Sequence, residues 1–199
     1  MIQLPDGHFD GYIFDCDGTL ADSMPLHYTA WCAALKEHEC EFPEALFYEL
    51  GGVPTEQIIE ILNERHGHSM DPVATARAKE DLFLKMIPEI APIESVVALV
   101  HELHGKIPLA VASGGKSEVV LKTLSALGIL QKFDALVVAE DYARGKPFPD
   151  PFLLAAKRLG LQPHQCLVFE DTQTGIDAAK AAGMQWVLVP QPSRKNRPS

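Results

Sequence analysis

The sequence predicts an α/β protein: a doubly wound, Rossmann-like parallel sheet with a small all-helical cap domain inserted after the first strand. Three observations lead there. Short runs of Val, Ile, Leu and Phe are unbroken by polar residues, as in strands buried on both faces of a parallel sheet. Between the later runs lie helical patterns, each followed by a glycine suited to the left-handed position that ends a helix. Between the first and second runs there are helical stretches but no convincing strand.

In chain order, the first predicted strand is Gly11 to Asp15. A helix over Pro25 to Glu39 follows, its proline fitting the first helical turn. Helices over Glu44 to Leu50, Pro54 to Arg65 and Pro72 to Ile87 come next, separated by Gly or Pro. The helix Ile93 to His104 returns the chain to the sheet. Strands are then predicted at Pro108 to Ala112, Ala135 to Val138, Cys166 to Phe169 and Gln185 to Val189. The helices between them, Ser117 to Leu127, Pro151 to Leu159 and Thr174 to Ala182, end at Gly128, Gly160 and Gly183. Strand, helix, strand in repetition is the signature of a doubly wound sheet. The expected domains are therefore a core of residues 1–23 and 92–199 and a cap of residues 24–91.

Composition narrows the partners. The chain has 199 residues, of which 47% are apolar and 22% charged, ordinary values for a globular protein. With 17 basic and 27 acidic residues the net charge is −10, which argues against nucleic acid or an anionic membrane as partner. The one basic cluster, Arg194, Lys195 and Arg197, reads as a frayed, solvated end. No apolar run approaches the roughly 20 residues of a membrane span, and no signal-peptide pattern opens the chain. Cys16, Cys32, Cys40 and Cys166 show no CxxC spacing and read as free thiols in a reducing cytoplasm. The eight histidines form no zinc pattern, and His66-Gly67-His68 reads as a solvated helix end. The default expectation is a cytoplasmic monomer.

In open α/β sheets function gathers at the carboxyl ends of the strands. There the sequence places Asp15, Asp17 and Thr19 after strand one, Ser113-Gly114-Gly115 after strand two, and Gly145-Lys146-Pro147 after strand three. Glu170, Asp171 and Thr172 follow strand four. Asp15, Glu170 and Asp171 would repel one another without a cation between them, and a few hard oxygen ligands suit Mg²⁺. A phosphate group bound there would find donors in Lys146, Ser113 and Gly114. A carboxylate beside a phosphoryl group can attack phosphorus. A second carboxyl group two residues on can protonate the leaving oxygen and then deprotonate water.

The segments DCDGTL, ASGG, GKPFPD and FED resemble the four motifs of the haloacid dehalogenase-like hydrolases, in that family's order and over the whole chain. GKPFPDPFLLAAKRLG and VFEDTQTGIDAAKAAGM are similar to the subgroup of β-phosphoglucomutase and small sugar phosphatases. The resemblance implies Asp15 as nucleophile and magnesium ligand. It implies Asp17 as general acid and base, also binding the metal through its backbone carbonyl. Ser113, Gly114 and Lys146 match phosphate-binding positions, and Glu170 and Asp171 the acidic pair that holds magnesium. An aspartate at position 17 fits phosphate esters, whose leaving alkoxide needs a proton; the dehalogenases carry tyrosine there and need no metal. Cys16, between the two acids, points away from both because strand side chains alternate, and reads as a small buried hydrophobe, a redox-sensing thiol being the alternative.

The same resemblance implies that the insert closes over the site and selects the substrate. His27, in the first turn of the first cap helix with Trp31 and Leu35 on its face, matches a histidine used near the general acid. Ala76, Lys79, Phe83 and Met86 share a helix face; Lys79 either snorkels outward or reaches the substrate. In the loop that contains Gly52 and Thr55, phosphoglucomutases carry an arginine at the place of Thr55, where it grips a second phosphate. Threonine cannot replace that bidentate cation, and GVPT is similar to the loop of small-sugar phosphatases, including those acting on fructose 1-phosphate. A Mg²⁺-dependent phosphatase of small phosphorylated sugars, with a phospho-Asp15 intermediate, is therefore expected. A β-phosphoglucomutase is the alternative. A non-catalytic phospho-receiver is a third reading, disfavoured because receivers lack a helical cap and carry their aspartate on a mid-chain strand.

Overall fold

The structure, a computed structural model of the chain, describes residues 2–51 and 53–190. The expectations for Gly52 and for the basic tail at Arg194, Lys195 and Arg197 lie outside the described residues. The chain divides into two compact units, Met1–Asp22 with Ile90–Ser199, and Ser23–Glu89.

The first unit is built on five parallel strands: β1 (Gly11–Phe14), β2 (Leu109–Ala112), β3 (Ala135–Val137), β4 (Cys166–Glu170) and β5 (Gln185–Leu188). Their order is β3-β2-β1-β4-β5. From the central β1 the chain works outward to β2 and β3, then crosses back to β4 and β5, so the winding reverses between β1 and β4. Side-chain alternation sorts each strand between two cores. Phe14, Val111 and Phe169 pack on one face with Val96 and Val100 of α5 (Glu94–Leu103) and Val120 and Leu124 of α6 (Ser117–Ala126). Ile13, Ala110 and Val168 face the other way, onto Phe152 and Ala155 of α7 (Asp150–Leu159) and Ala178 of α8 (Gln173–Ala181). Phe14 and Phe169, paired in register, stack with ring centroids 4.6 Å apart and hold the two strands at the reversal point together.

One expectation about the sheet is corrected. The run Gln185 to Val189 is expected to be buried on both faces, yet Gln185, Trp186 and Leu188 are exposed and only Val187 and Val189 are buried. Among the described residues β5 pairs with β4 only, so it is an edge strand. Trp186 keeps part of its surface dry by lying 4.9 Å beneath the Lys180 ammonium.

The chain leaves and re-enters this unit along one path. The Asp22 N–H donates to the Ala91 carbonyl at 2.8 Å, and the Ile93 N–H to the Leu20 carbonyl at 2.9 Å. These bonds tie the end of the loop after β1 to the segment that precedes α5.

The second unit contains α1 (Met24–Leu35), α2 (Glu44–Glu49), α3 (Thr55–His66) and α4 (Pro72–Met86) around Trp31, Leu35, Phe47, Ile59 and Leu62. Each lies within a few residues of its expected bounds, the first helix stopping soonest because Lys36–His38 tightens into a 3₁₀ turn. His66 ends α3 exposed to solvent, with Gly67 at φ +71° closing the helix.

Candidate active site

The strand ends bring four charged groups together. The Lys146 ammonium donates to Asp15 Oδ1 at 2.6 Å and to Glu170 Oε1 at 2.6 Å. Ligand atoms of Asp15, Glu170 and Asp171 all lie within 4.8 Å of one another. Asp15 follows β1 and Glu170 ends β4, and the register of these strands sets the two side by side, with the Asp15 N–H donating to the Phe169 carbonyl at 3.0 Å. Asp171 is tied to the β1 loop, for Thr19 Oγ1 donates to its Oδ1 at 3.2 Å. Glu170 Oε2 accepts from both the backbone N–H and the hydroxyl of Thr172, at 2.8 and 2.9 Å.

Asp15 and Glu170 thus share the Lys146 ammonium, with Asp171 beside them. Burial pushes the Asp15 carboxyl well above the usual range; Lys146 opposes this, while Glu170 and Asp171 add to it. Asp171 is pushed up to about 7 by burial and then by Glu170. Burial acts to raise Glu170 as well, but Lys146 and the Thr172 bonds hold it below its ordinary value. Lys146 is raised: burial would strip its proton, and Asp15 and Glu170 retain it. The group lacks positive charge, and its donors are hard oxygens, so a divalent cation of the hard class fits it.

The remaining predicted core residues stand just after β1 and β2. Ser113 is buried; its Oγ accepts from the Gly115 N–H at 3.0 Å and its carbonyl from the Tyr142 hydroxyl at 3.0 Å. Gly114 is exposed, with open space where a side chain would project. Asp17 is half-buried, and its Oδ2 lies 3.7 Å from the position a Cβ would take at Gly115, so it faces the Ser113 loop. Cys16 packs in the core with Phe14, and burial, followed by Asp17 and Asp15, pushes its thiol well above the ordinary value. A buried, protonated thiol suits packing and not thiolate chemistry.

His27, Thr55 and Lys79 belong to the helical unit. Thr55 is half-buried at the first position of α3. The outward-snorkelling reading of Lys79 is overturned, because the residue is only 4% exposed. Its ammonium lies 3.0 Å from His27 Nδ1 and 3.0 Å from Glu80 Oε1, and within 5.7 Å of the Trp31 and Phe83 ring centroids. Those partners replace the water that snorkelling would otherwise seek. His27 stacks on Phe83 with centroids 3.7 Å apart.

The strand-end reading places Thr172 after β4 but not as the partner of Glu170, and it misses Tyr142, the partner of Ser113, and Gly175. A Cβ at Gly175 would overlap the Glu170 carboxylate. The one available signal is the Thr-x-x-Gly spacing directly after the acidic pair.

A doubly wound sheet with this charged group at its reversal point has the build of a phosphoryl-transfer hydrolase. Comparison with known proteins makes the assignment. The chain belongs to the haloacid dehalogenase-like hydrolases, whose family model matches residues 12–189, and is an enzyme of their phosphatase type. Fructose-1-phosphate phosphatase YqaB of Escherichia coli K12 is 39% identical over 181 residues, covering 91% of this chain and 96% of its own. The crystal structure of CbbY from Rhodobacter sphaeroides in complex with phosphate superposes with a TM-score of 0.83 at 25% identity, covering 95% of this chain and 90% of that one. That of β-phosphoglucomutase from Clostridium difficile gives a TM-score of 0.81 at 27% identity, covering 94% and 86%. Among the described residues no helix is long and apolar enough to cross a membrane.

Proposed function

We propose that the protein is a Mg²⁺-dependent phosphatase of small phosphorylated sugars, with fructose 1-phosphate as the first candidate, working as a cytoplasmic monomer through a phosphorylated Asp15. The observation that carries this is the single Lys146 ammonium shared by Asp15 and Glu170 with Asp171 beside them. Asp15, Glu170 and Asp171, with the Asp17 carbonyl, would hold Mg²⁺, which when bound neutralises charge on the phosphoryl oxygens.

The chain's own residues then divide the work. Lys146 and the donors at Ser113 and Gly114 orient the phosphoryl group. A carboxylate oxygen of Asp15 attacks phosphorus, and the bond to the sugar oxygen breaks. Asp17 gives its proton to that leaving oxygen. Asp17 then takes a proton from water, whose oxygen attacks phosphorus; the bond to Asp15 breaks, releasing phosphate and restoring the carboxylate. We assign the choice of sugar to the helical unit, through His27, Lys79 and the loop of Gly52 and Thr55.

Similarity to the C. difficile structure supports a β-phosphoglucomutase as the second reading. Thr55 favours hydrolysis over it, since a mutase needs a cation for the second phosphate. Phosphate release from a panel of sugar phosphates, with and without Mg²⁺, tests the proposal. Mg²⁺-dependent release, lost in Asp15→Asn, is the expected result. Interconversion of glucose 1-phosphate and glucose 6-phosphate without net release would overturn it, as would full turnover by Asp15→Asn.

A further inference from the structure

The two oxygens of Glu170 are held from opposite sides. Oε1 accepts from Lys146 at 2.6 Å. Oε2 accepts the Thr172 N–H at 2.8 Å and the Thr172 hydroxyl at 2.9 Å. A hydroxyl has one proton, and here it is committed to Glu170. Its lone pairs accept the Gly175 N–H at 3.0 Å, which makes the same oxygen the N-cap of α8. Gly175, buried in the first turn of that helix, lets the carboxylate lie where any larger residue would put its Cβ. Glu170 is 1% exposed, so no water competes for these bonds.

We propose that Thr172 and Gly175 are positioning residues for the metal site. Thr172 couples the start of α8 to the orientation of Glu170, and Gly175 clears the space that orientation needs. Together they decide that Oε1 faces Lys146, Asp15 and Asp171. Both act through Glu170. The inference rests on the metal reading given above. Partners that orient a metal ligand are typically worth about 10–100-fold in metal affinity.

The test is Mg²⁺ binding by titration calorimetry on the wild type, Thr172→Val, Thr172→Ser and Gly175→Ala, with thermal unfolding of each in EDTA as the control for folding. Thr172→Val keeps the shape of the residue and loses the hydroxyl; it should weaken Mg²⁺ binding by about tenfold or more. Thr172→Ser restores the hydroxyl and should bind within about threefold of wild type. Phosphate release by Thr172→Val should recover at high Mg²⁺, a dependence that loss of the helix cap alone would not produce. Gly175→Ala should behave as Thr172→Val does; if it fails to fold, the valine and serine pair still decides. Equal Mg²⁺ affinity in wild type and Thr172→Val, or equal loss in Thr172→Ser and Thr172→Val, overturns the inference. If the wild type binds no Mg²⁺, the metal reading falls by itself. Crystal structures of Thr172→Val and Thr172→Ser then decide on Glu170 alone: it turns from Lys146 in the valine variant only, or the inference is overturned.

Discussion

The Lys146 ammonium lies 2.6 Å from the Asp15 carboxylate although 131 residues separate them in the chain. Asp15 is buried and Lys146 half-buried, so removing either leaves unbalanced charge with little water to screen it. Lys146→Met leaves Asp15, Glu170 and Asp171 facing one another without a cation. It should cost about 3–5 kcal/mol of stability, the usual scale for breaking a buried ion pair. Phosphate release should fall by about 100-fold or more, as for loss of a charged donor on the phosphoryl oxygens. Urea unfolding with and without Mg²⁺ is the check, because a divalent cation should restore part of the lost stability. An unchanged midpoint would mean that the ammonium does not hold the carboxylates in place.

In the proposed mechanism Asp17 lets proton transfer be tested apart from metal binding. Its carboxylate faces the Ser113 loop and is not a member of the group formed by Asp15, Glu170 and Asp171. Asp17→Asn keeps the backbone carbonyl and the side-chain shape while removing the transferable proton. Phosphate release from sugar phosphates should drop by about 10²–10⁴-fold, with Mg²⁺ affinity unchanged. Substrates with a good leaving group, such as a nitrophenyl ester, need less protonation and should lose less. An equal loss on both kinds of ester would remove Asp17 from the role of acid.

These contacts also mark what a sequence can disclose. Asp15, Glu170 and Asp171 are legible because they stand at the end of an apolar run, and Lys146 because it lies in the stretch that follows β3; a parallel sheet brings such ends to one edge. Thr172 is legible by its place after β4 but its role is not, and Gly175 is not legible at all, since the meaning of both depends on which way the Glu170 carboxylate turns. In the chain, Gly175 is simply a glycine with poor helix propensity, until Glu170 is found lying against it. The exposure of β5 is hidden for a different reason. The run Gln185 to Val189 announces a strand, but its edge position follows from the direction of the crossovers. Lys79 shows the same limit: helical spacing assigns it to the face of Ala76 and Phe83, but not the depth at which that face lies.

That depth makes Lys79 testable as a selector of substrate. Its ammonium is enclosed by His27, Glu80 and the rings of Trp31 and Phe83. Methionine follows a similar path and packs well against aromatic rings, so Lys79→Met should fold. If Lys79 binds the sugar phosphate in the ground state and transition state alike, KM should rise by about tenfold or more with kcat little changed. Steady-state kinetics on the preferred substrate, with thermal unfolding alongside, measures both. An unchanged KM with a lowered unfolding midpoint would make Lys79 an internal ion of the helical unit and nothing more.

Away from the site, Asp141 carries a pH dependence of stability whose sign the structure fixes. Arg158 donates to its two oxygens at 2.7 and 3.0 Å, and the Val138 N–H donates to Oδ2 at 2.9 Å. The Arg158 bonds, followed by the Val138 bond, hold the Asp141 carboxyl below its ordinary value. The unfolded chain therefore takes up this proton at a higher pH than the folded chain does. The stabilisation is complete above the ordinary aspartate value, near pH 4, and is lost as the pH falls through the depressed folded value. Asp141→Asn should accordingly be less stable than wild type near pH 7, with the difference closing as the pH falls below about 4. Arg158→Met should converge only in part, because it also removes the bond that Arg158 donates to the Leu136 carbonyl. Both Arg158 and Asp141 keep contact with water, which screens the pair and limits the size of the effect. Urea midpoints compared near neutral pH and near pH 3 measure it. A difference that persists unchanged in acid would assign the stabilisation to the packing and hydrogen bonding of an uncharged side chain, and the charge would then carry none of it.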